Sequence, residues 1–233
     1  MKKAILALLL ACLLLVPCAL AEGGLKITQE AFRVIDARDS DGLCYSSVAE
    51  YYAKVTNTGN QPMSMESGTL MVMGEDQVVL YMGEAYATSP HVILPGQSAY
   101  LNAGADMIGA DLVGEVSGYA FDMIDAPASD GAPILLEVME ASYVEEPAPW
   151  DEADQMVFVT VRNPMDYPVE NPCCSFGLYA EDSLIFTGSA QAINVRIPAG
   201  QTLVVTAAVL NDAAADWRAR GLVPEVHAIA YVE

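Results

Sequence analysis

The chain has few basic side chains and only two histidines. Its 233 residues include 10 Lys and Arg against 31 Asp and Glu, which gives a formal net charge of −21. Such a charge repels nucleic-acid phosphates and anionic lipid surfaces, so we expect no nucleic-acid partner. The apolar fraction of 53% excludes a disordered acidic tail, because such tails cannot bury enough surface to fold.

The residue patterns of common catalytic and redox sites are also absent from the sequence. There is no Gly-x-Ser-x-Gly elbow, no Cys-x-x-Cys motif and no zinc ligand set. The two histidines, His91 and His227, have no recognisable nucleophile or orienting acid. We therefore expect no catalytic residue and no cofactor. The alternative from the enzyme class is a hydrolase with an unrecognised site, such as a pocket that gathers Asp106 and Glu115.

The first 21 residues have the three parts of a secretory signal peptide. Two lysines follow Met1, residues 4–16 form an unbroken apolar run, and residues 19–21 are Ala-Leu-Ala. The run is short for a transmembrane helix, and no cluster of Lys and Arg follows it. We expect cleavage after Ala21, a secreted or extracytoplasmic protein, and no integral membrane segment. A lipoprotein acylated at Cys12 or Cys18 is the alternative.

Two stretches of similar sequence follow the signal segment. Residues 52–57 (YAKVTN) align with residues 158–163 (FVTVRN), and LPGQ at 94–97 aligns with IPAGQ at 197–201. Matches at nearly constant spacing indicate a tandem repeat. We predict a signal peptide over 1–21, a first β-sandwich repeat over 22–126, a linker over 127–133, and a second repeat over 134–233.

Short β-branched or aromatic runs bounded by turn residues predict strands in both repeats. The runs at 70–73 and 78–81, separated by the acidic pair Glu75-Asp76, predict a hairpin that recurs over 176–186. Many short strands with closely spaced turn signals predict an all-β fold, here two tandem immunoglobulin-like β-sandwiches. One helix is predicted over residues 213–220, ended by Gly221.

Motifs in the two repeats resemble those of FxLYD-type, immunoglobulin-like domains of exported bacterial proteins. They are Asn-x-[Gly or Met]-x-x-Pro after a strand, an acidic hairpin, a Pro-Gly-Gln turn before a strand and, in the second repeat, Phe176-x-Leu178-Tyr179. Residues 70–73 (LMVM) of the first repeat depart from this last motif. Ala180 stands where the family usually has Asp. The resemblance implies a β-sandwich that serves as a non-catalytic module of the bacterial cell envelope. Sheet edges or loops would then bind a protein or glycan partner through contact surface.

A metal-binding exported protein is the alternative from a third class. Acidic loops before corresponding strands offer hard oxygen ligands for Ca²⁺, and the candidates are Asp36, Asp39, Asp41, Asp151, Glu152 and Asp154. Thioethers with an imidazole suit Cu(I), and those candidates are Met63, Met65, Met71, Met73 and His91. The competing interpretations are a solvated acidic loop and methionines that fill the core.

Three cysteines and one tryptophan complete the set of candidates. Cys44, Cys173 and Cys174 remain after the expected cleavage, and none recurs in the other repeat. A bridge from Cys44 to either of the others would tie the repeats together, whereas reduced thiols are the alternative. Trp150, in a proline-containing loop, is the candidate exposed anchor for a partner.

Overall fold

The computed structural model describes residues 23–38, 41–85, 87–108, 114–147, 153–209, 217 and 220–233. Over these residues the protein is all-β, and its strands pair in several antiparallel sheets arranged as in a β-sandwich. The predicted fold class is confirmed at this level. No helix within the described ranges is long and apolar enough to cross a membrane.

The first half of the chain forms two sheets. Its described strands are β1 (Leu25–Arg38), β2 (Cys44–Asn57), β3 (Met63–Met73), β4 (Val79–Ala85), β5 (Val92–Ile93), β6 (Ser98–Ile108) and β7 (Gly118–Pro127). One sheet has the order β1-β2-β6. In the other sheet β3 is central, with β7 along one side and β4 and β5 along the other.

The second half begins after an exposed segment that includes residues 129–132. Its described strands are β8 (Ile134–Pro147), β9 (Ala153–Arg162), β10 (Val169–Glu170), β11 (Cys173–Ala180), β12 (Ser183–Gln191), β13 (Arg196–Ile197), β14 (Thr202–Val209) and β15 (Glu225–Val232). Six of them follow the order β12-β11-β15-β8-β9-β14, and β10 pairs with β13.

Most strand pairings recur in the two halves. The order β1-β2-β6 corresponds to β8-β9-β14, and β4-β3-β7 corresponds to β12-β11-β15. Among the described strands, the pairing of β15 with β8 belongs to the second half alone. The bulges also recur, since Thr28 of β1 and Met139 of β8 are skipped in their ladders. Leu80 of β4 and Ile185 of β12 are skipped in the same way. This common register gives most strand residues of one half a counterpart in the other.

The acidic hairpin tips adopt the backbone that tight hairpins need. Glu181 and Asp182, between β11 and β12, have φ values of 51° and 67°. Two consecutive positive φ values match the twist of the flanking strands, and Asp tolerates this region because its side chain is short. Between β3 and β4, Asp76 and Gln77 have φ values of 55° and 61° in a short 3-10 turn.

A buried asparagine closes the turn that follows β2, and another closes the turn that follows β9. The side-chain nitrogen of Asn57 donates to the carbonyls of Gln61 and Ile93, each at 2.8 Å, and its Oδ1 accepts from the Gly59 N–H at 2.8 Å. Asn163 makes the same three bonds in the second half. Both asparagines are fully buried. Each one therefore fixes the path of a turn against a neighbouring segment.

The Pro-Gly-Gln turn lies against the same asparagine. The Gly96 N–H donates to the Asn57 carbonyl at 2.9 Å, and the Asn57 N–H donates to the Gln97 carbonyl at 3.0 Å. The second half repeats both bonds at Asn163. Gly96 and Gly200 have φ values of 75° and 69°, a region that favours glycine. In each half, the asparagine turn and the Pro-Gly-Gln turn thus form a single hydrogen-bonded unit.

Most of the predicted helix lies outside the described residues. Trp217, which is described, is buried and packs edge-on against Phe186, with ring centroids 6.0 Å apart. The Leu222 N–H donates to the Trp217 carbonyl at 2.9 Å, and Gly221 has a φ of 67°. This geometry is typical of a helix C-terminus, where Gly221 was expected to end the helix.

Replacing the buried asparagine should destabilise the fold strongly. Asn163→Ala leaves two carbonyls and one N–H without their partner in a buried turn, so we expect a loss of about 3 kcal/mol in the free energy of unfolding. Asn60→Ala, at an exposed position of the corresponding turn in the first half, is the control and should change it by less than about 0.5 kcal/mol. Urea unfolding measures both, and equal losses would contradict the assigned role.

Candidate binding surfaces

The acidic residues considered for Ca²⁺ are only partly described. Asp36 lies on β1 and accepts a hydrogen bond from the Ser47 hydroxyl on β2. Asp41 is exposed just before β2. The others are Asp39, Asp151 and Glu152, which lie outside the described residues, and Asp154, of which only the main chain in β9 is described. Within the described part of the chain, no three His, Cys, Asp or Glu residues are grouped so as to hold a metal ion.

A β-bulge divides the methionines considered for Cu(I). The ladder between β3 and β7 skips Glu66, which reverses the faces of the residues that follow. Met63 and Met65 are buried in the core of the first half. Met71 and Met73 lie on the outer side of the same sheet and are partly exposed. The four thioethers therefore occupy two opposite faces of one sheet.

The remaining candidates lie in other places. The His91 ring nitrogen Nε2 is 3.5 Å from the carboxylate of Asp130, which lies between the two halves. The His91 main-chain N–H donates to the carboxylate of Glu233 at 3.2 Å. His91 thus contacts the linker and the end of the second half. Trp150 lies outside the described residues.

The three cysteines are thiols and are not joined by a disulfide. The Cys44 sulfur donates a hydrogen bond to the Ser46 carbonyl, at 3.4 Å, on the same strand. Cys173 and Cys174 are buried in β11. Burial raises the pKa of Cys174 to about 11 and also raises the pKa of Cys173. Both thiols therefore stay protonated near neutral pH, which keeps them weak nucleophiles.

The two halves meet on the outer face of the β1-β2-β6 sheet, in a contact that we call the joint. On β2, Tyr51 faces the core of the first half, whereas Tyr52 faces the second half, and both are buried. The Tyr52 ring packs 5.0 Å from Phe186 of β12. On β6, the Tyr100 hydroxyl lies 3.3 Å from the Tyr179 hydroxyl of β11. The β1-β2-β6 sheet therefore has buried aromatic side chains on both faces.

Hydrogen bonds and a glycine complete the joint. The Thr187 hydroxyl donates to the Leu101 carbonyl at 2.9 Å, and the hydroxyls of Ser89 and Tyr231 lie 2.6 Å apart. Gly177 makes room for an aromatic ring, because a Cβ at this position would lie 2.6 Å from the Cε1 of Tyr100. A larger residue on β11 would therefore push the two halves apart.

A small polar network holds Tyr52 in the joint. Arg33 forms an ion pair with Glu50, and its Nη2 donates to the Tyr52 hydroxyl at 3.1 Å. That hydroxyl donates to the Glu50 carboxylate at 2.7 Å. The Arg33 guanidinium also lies over the Tyr52 ring, 5.7 Å from its centroid. The ring is thus fixed by both a cation–π contact and charge-assisted hydrogen bonds.

Two clefts flank the joint, with volumes of about 230 and 150 Å³. The larger is lined mainly by hydroxyl and amide side chains, including Thr88, Asn102 and Ser189. The smaller is lined by Arg33, Tyr52 and Trp217 among others. Small-molecule sites commonly have volumes of about 300 to 1,000 Å³. Both clefts fall below that range, so neither suits a ligand of ordinary drug or cofactor size.

Strand β4 carries an exposed apolar run at the edge of its sheet. Its ladder partner among the described strands is β3. The exposed side chains, which together we call the β4 edge, are Val78, Val79, Tyr81 and Met82, with 40 to 58% of each exposed. A depression of about 300 Å³ lies beside them. Apolar runs of this kind on an edge strand are uncommon in monomers and mark interaction sites.

The sequence patterns pointed to neither the joint nor the β4 edge. The sequence does contain a signal for the β4 edge, because the apolar run Val78–Met82 has acidic residues on both sides. Strands β3, β4 and β7 also lack Lys and Arg entirely. The sheet that carries the β4 edge is therefore apolar and acidic.

Comparisons with known proteins do not place the chain in a family. No family model matches it, and no curated protein matches it. Among solved structures, it is similar to vicilin from Corylus avellana (hazelnut) with 11% sequence identity, a TM-score of 0.15, and coverage of 91% of this chain and 83% of that chain. A likeness this weak carries no argument about fold or function.

Adding one methyl group at Gly177 should loosen the joint. Gly177→Ala brings a Cβ into the space of the Tyr100 ring, so we expect a loss of about 2 kcal/mol and faster amide exchange in β12. Gly131→Ala, in the exposed linker, has nothing within 4 Å of the new Cβ and is the control. In the double variant with Tyr100→Ala the two losses should not add. Additive losses would show that the two residues are not in contact.

The tyrosines of the joint should make the protein sensitive to alkali. Burial raises the pKa of Tyr52 and Tyr100 well above 10, and raises the pKa of Tyr231 to about 12. The folded state therefore favours the neutral phenols, and their contribution to stability is complete below pH 10 and is lost as the pH rises toward 12. Phenolate absorbance should show these tyrosines ionising together with unfolding. Full reversible titration near pH 10 in a folded protein would contradict this.

Proposed function

We propose that this protein is an exported, non-catalytic binding module of the bacterial cell envelope, built from two tandem immunoglobulin-like β-sandwiches. The signal-peptide pattern over residues 1–21 supports export. The strand pairings and bulges that recur in the two halves support a duplicated domain. The resemblance to FxLYD-type domains supports a role in binding rather than in chemistry.

The β4 edge is the observation that carries this proposal. An edge strand presents main-chain N–H and C=O groups that can pair with a strand of another chain, and the side chains on it can fill apolar pockets. Val79, Tyr81 and Met82 are exposed there although they are large and apolar. Methionine adapts its shape to a partner surface. These features favour a protein partner over a glycan.

The joint prepares this surface for binding. Because the two halves are packed through buried aromatic side chains and hydrogen bonds, the first half does not swing freely on a linker. A surface that is already ordered loses less conformational entropy when a partner docks. The second half therefore acts as a support for the half that carries the β4 edge.

A photo-crosslinking side chain placed at Tyr81 should capture the partner. Tyr167, an exposed tyrosine in a turn of the second half, is the matched control because its exposure is similar, 48% against 40%. In cells that export the protein, we expect a covalent adduct from the variant labelled at position 81 and none from the variant labelled at position 167. Adducts from both, or from neither, would refute the β4 edge as the binding surface.

A further inference from the structure

The joint shows which two kinds of surface pack together in this fold. It is formed by two unlike surfaces, the outer face of the β1-β2-β6 sheet and the β12 edge with its neighbour β11. Each of these surfaces has a counterpart in the other half. The counterpart of β12 is β4, and the counterpart of β1-β2-β6 is β8-β9-β14. Neither counterpart is used by the joint.

The register identifies the counterparts of the β12 residues that the joint buries. In the second half, Phe186 pairs with Leu178, the last residue of β11 before the bulge in their ladder. In the first half, Tyr81 pairs with Val72, the last residue of β3 before the bulge in theirs. Leu184 and Val79 likewise pair with the residue after the bulge in each half. Leu184 and Phe186 are buried, whereas Val79 and Tyr81 are exposed. In the described part of the chain, the β4 edge therefore has the apolar side chains of a joint surface but leaves them about half exposed.

The opposite surface also keeps its apolar character in the second half. Phe158 of β9 pairs with Ser142 of β8 and with Thr206 of β14. Tyr52 of β2 occupies the corresponding position between β1 and β6, so Phe158 is the counterpart of Tyr52. Val204 pairs with Thr160 as Tyr100 pairs with Lys54, so Val204 is the counterpart of Tyr100. Val204 is 51% exposed, and Phe158 is partly exposed.

The side-chain sizes at the two open surfaces are complementary. In the joint, Gly177 is small and leaves room for the ring of Tyr100. At the open surfaces the counterparts are Met71 and Val204, so a large residue on β3 would face a small one on β14. The aromatic pair of the joint, Tyr52 with Phe186, would be replaced by Phe158 with Tyr81. Both pairings fill a similar volume, which is what close packing requires.

We propose that the β4 edge of one copy docks on the outer β8-β9-β14 face of a second copy, so that the chains assemble head to tail. This inference rests on the proposed function, because it names a second copy as the partner of the β4 edge. Two unlike surfaces on one chain give a heterologous contact, which continues into a filament or closes into a ring.

Charge opposes this contact and makes it depend on salt. Each copy has a formal net charge of −21. The hairpin tip beside β4 carries Glu75 and Asp76, and Glu140 is exposed on the face that it would approach. Raising the ionic strength from about 0.01 M to about 1 M shortens the screening length from about 30 Å to about 3 Å. Assembly should therefore increase with salt, whereas a contact held by opposite charges would weaken.

Two blocked variants test the proposal directly. Tyr81→Glu places a charge on the β4 edge and blocks it, and Val204→Glu does the same on the outer β8-β9-β14 face. Both positions are exposed, so the fold should persist. By sedimentation at concentrations up to about 1 mM, a range that detects weak contacts, the natural protein should assemble in high salt. Each variant alone should stay monomeric, and an equal mixture should form one-to-one dimers through the two intact surfaces. Tyr167→Glu is the control and should assemble like the natural protein.

Three outcomes would overturn the proposal. One is a natural protein that stays monomeric in high salt, and another is a mixture of the two variants that forms no dimer. The third is assembly of either variant alone, which would indicate a contact between like surfaces. If the crosslinker at position 81 captures a different protein while the purified chain stays monomeric, the proposed function stands and only the head-to-tail contact fails.

Discussion

The β1-β2-β6 sheet carries buried aromatic side chains on both of its faces, so each face needs a cover around them. One face forms the core of the first half, and the other carries Tyr52 and Tyr100. Exposing one aromatic side chain of this kind costs about 2 to 3 kcal/mol, a substantial fraction of the stability of a domain. The second half supplies the missing cover. The linker alone therefore does not define how the halves are arranged, because the aromatic contacts do.

The local structure could be predicted from the sequence because local chemistry determines it. The β-branched runs predicted the strands around Tyr51 and Phe158, and the acidic pairs predicted the two hairpins. The Asn and Pro-Gly-Gln motifs marked turns, and the structure explains their spacing, since Asn57 bonds to the turn at Gly96. These strands, hairpins and turns depend on a few neighbouring residues, so local sequence patterns are enough to predict them.

The faces of the strands could not be predicted in the same way. The alternating methionines suggested one cluster, but a bulge at Glu66 sends Met65 inward and leaves Met71 on the outer face. A one-residue insertion has this effect because side chains alternate with a period of two. The joint was equally hidden, since the need for glycine at position 177 depends on Tyr100, a residue in the other half.

The long reach of the joint also affects the order in which the chain folds. Its hydrogen bonds connect residues separated by 79, 86 and 142 positions. Closing such large loops is slow, so we expect the hairpins of each half to form first and the joint to form last. During that interval the Tyr52 surface and the β12 edge are both uncovered. In a crowded compartment, one chain could complete the joint with the second half of another, which would give a domain-swapped dimer.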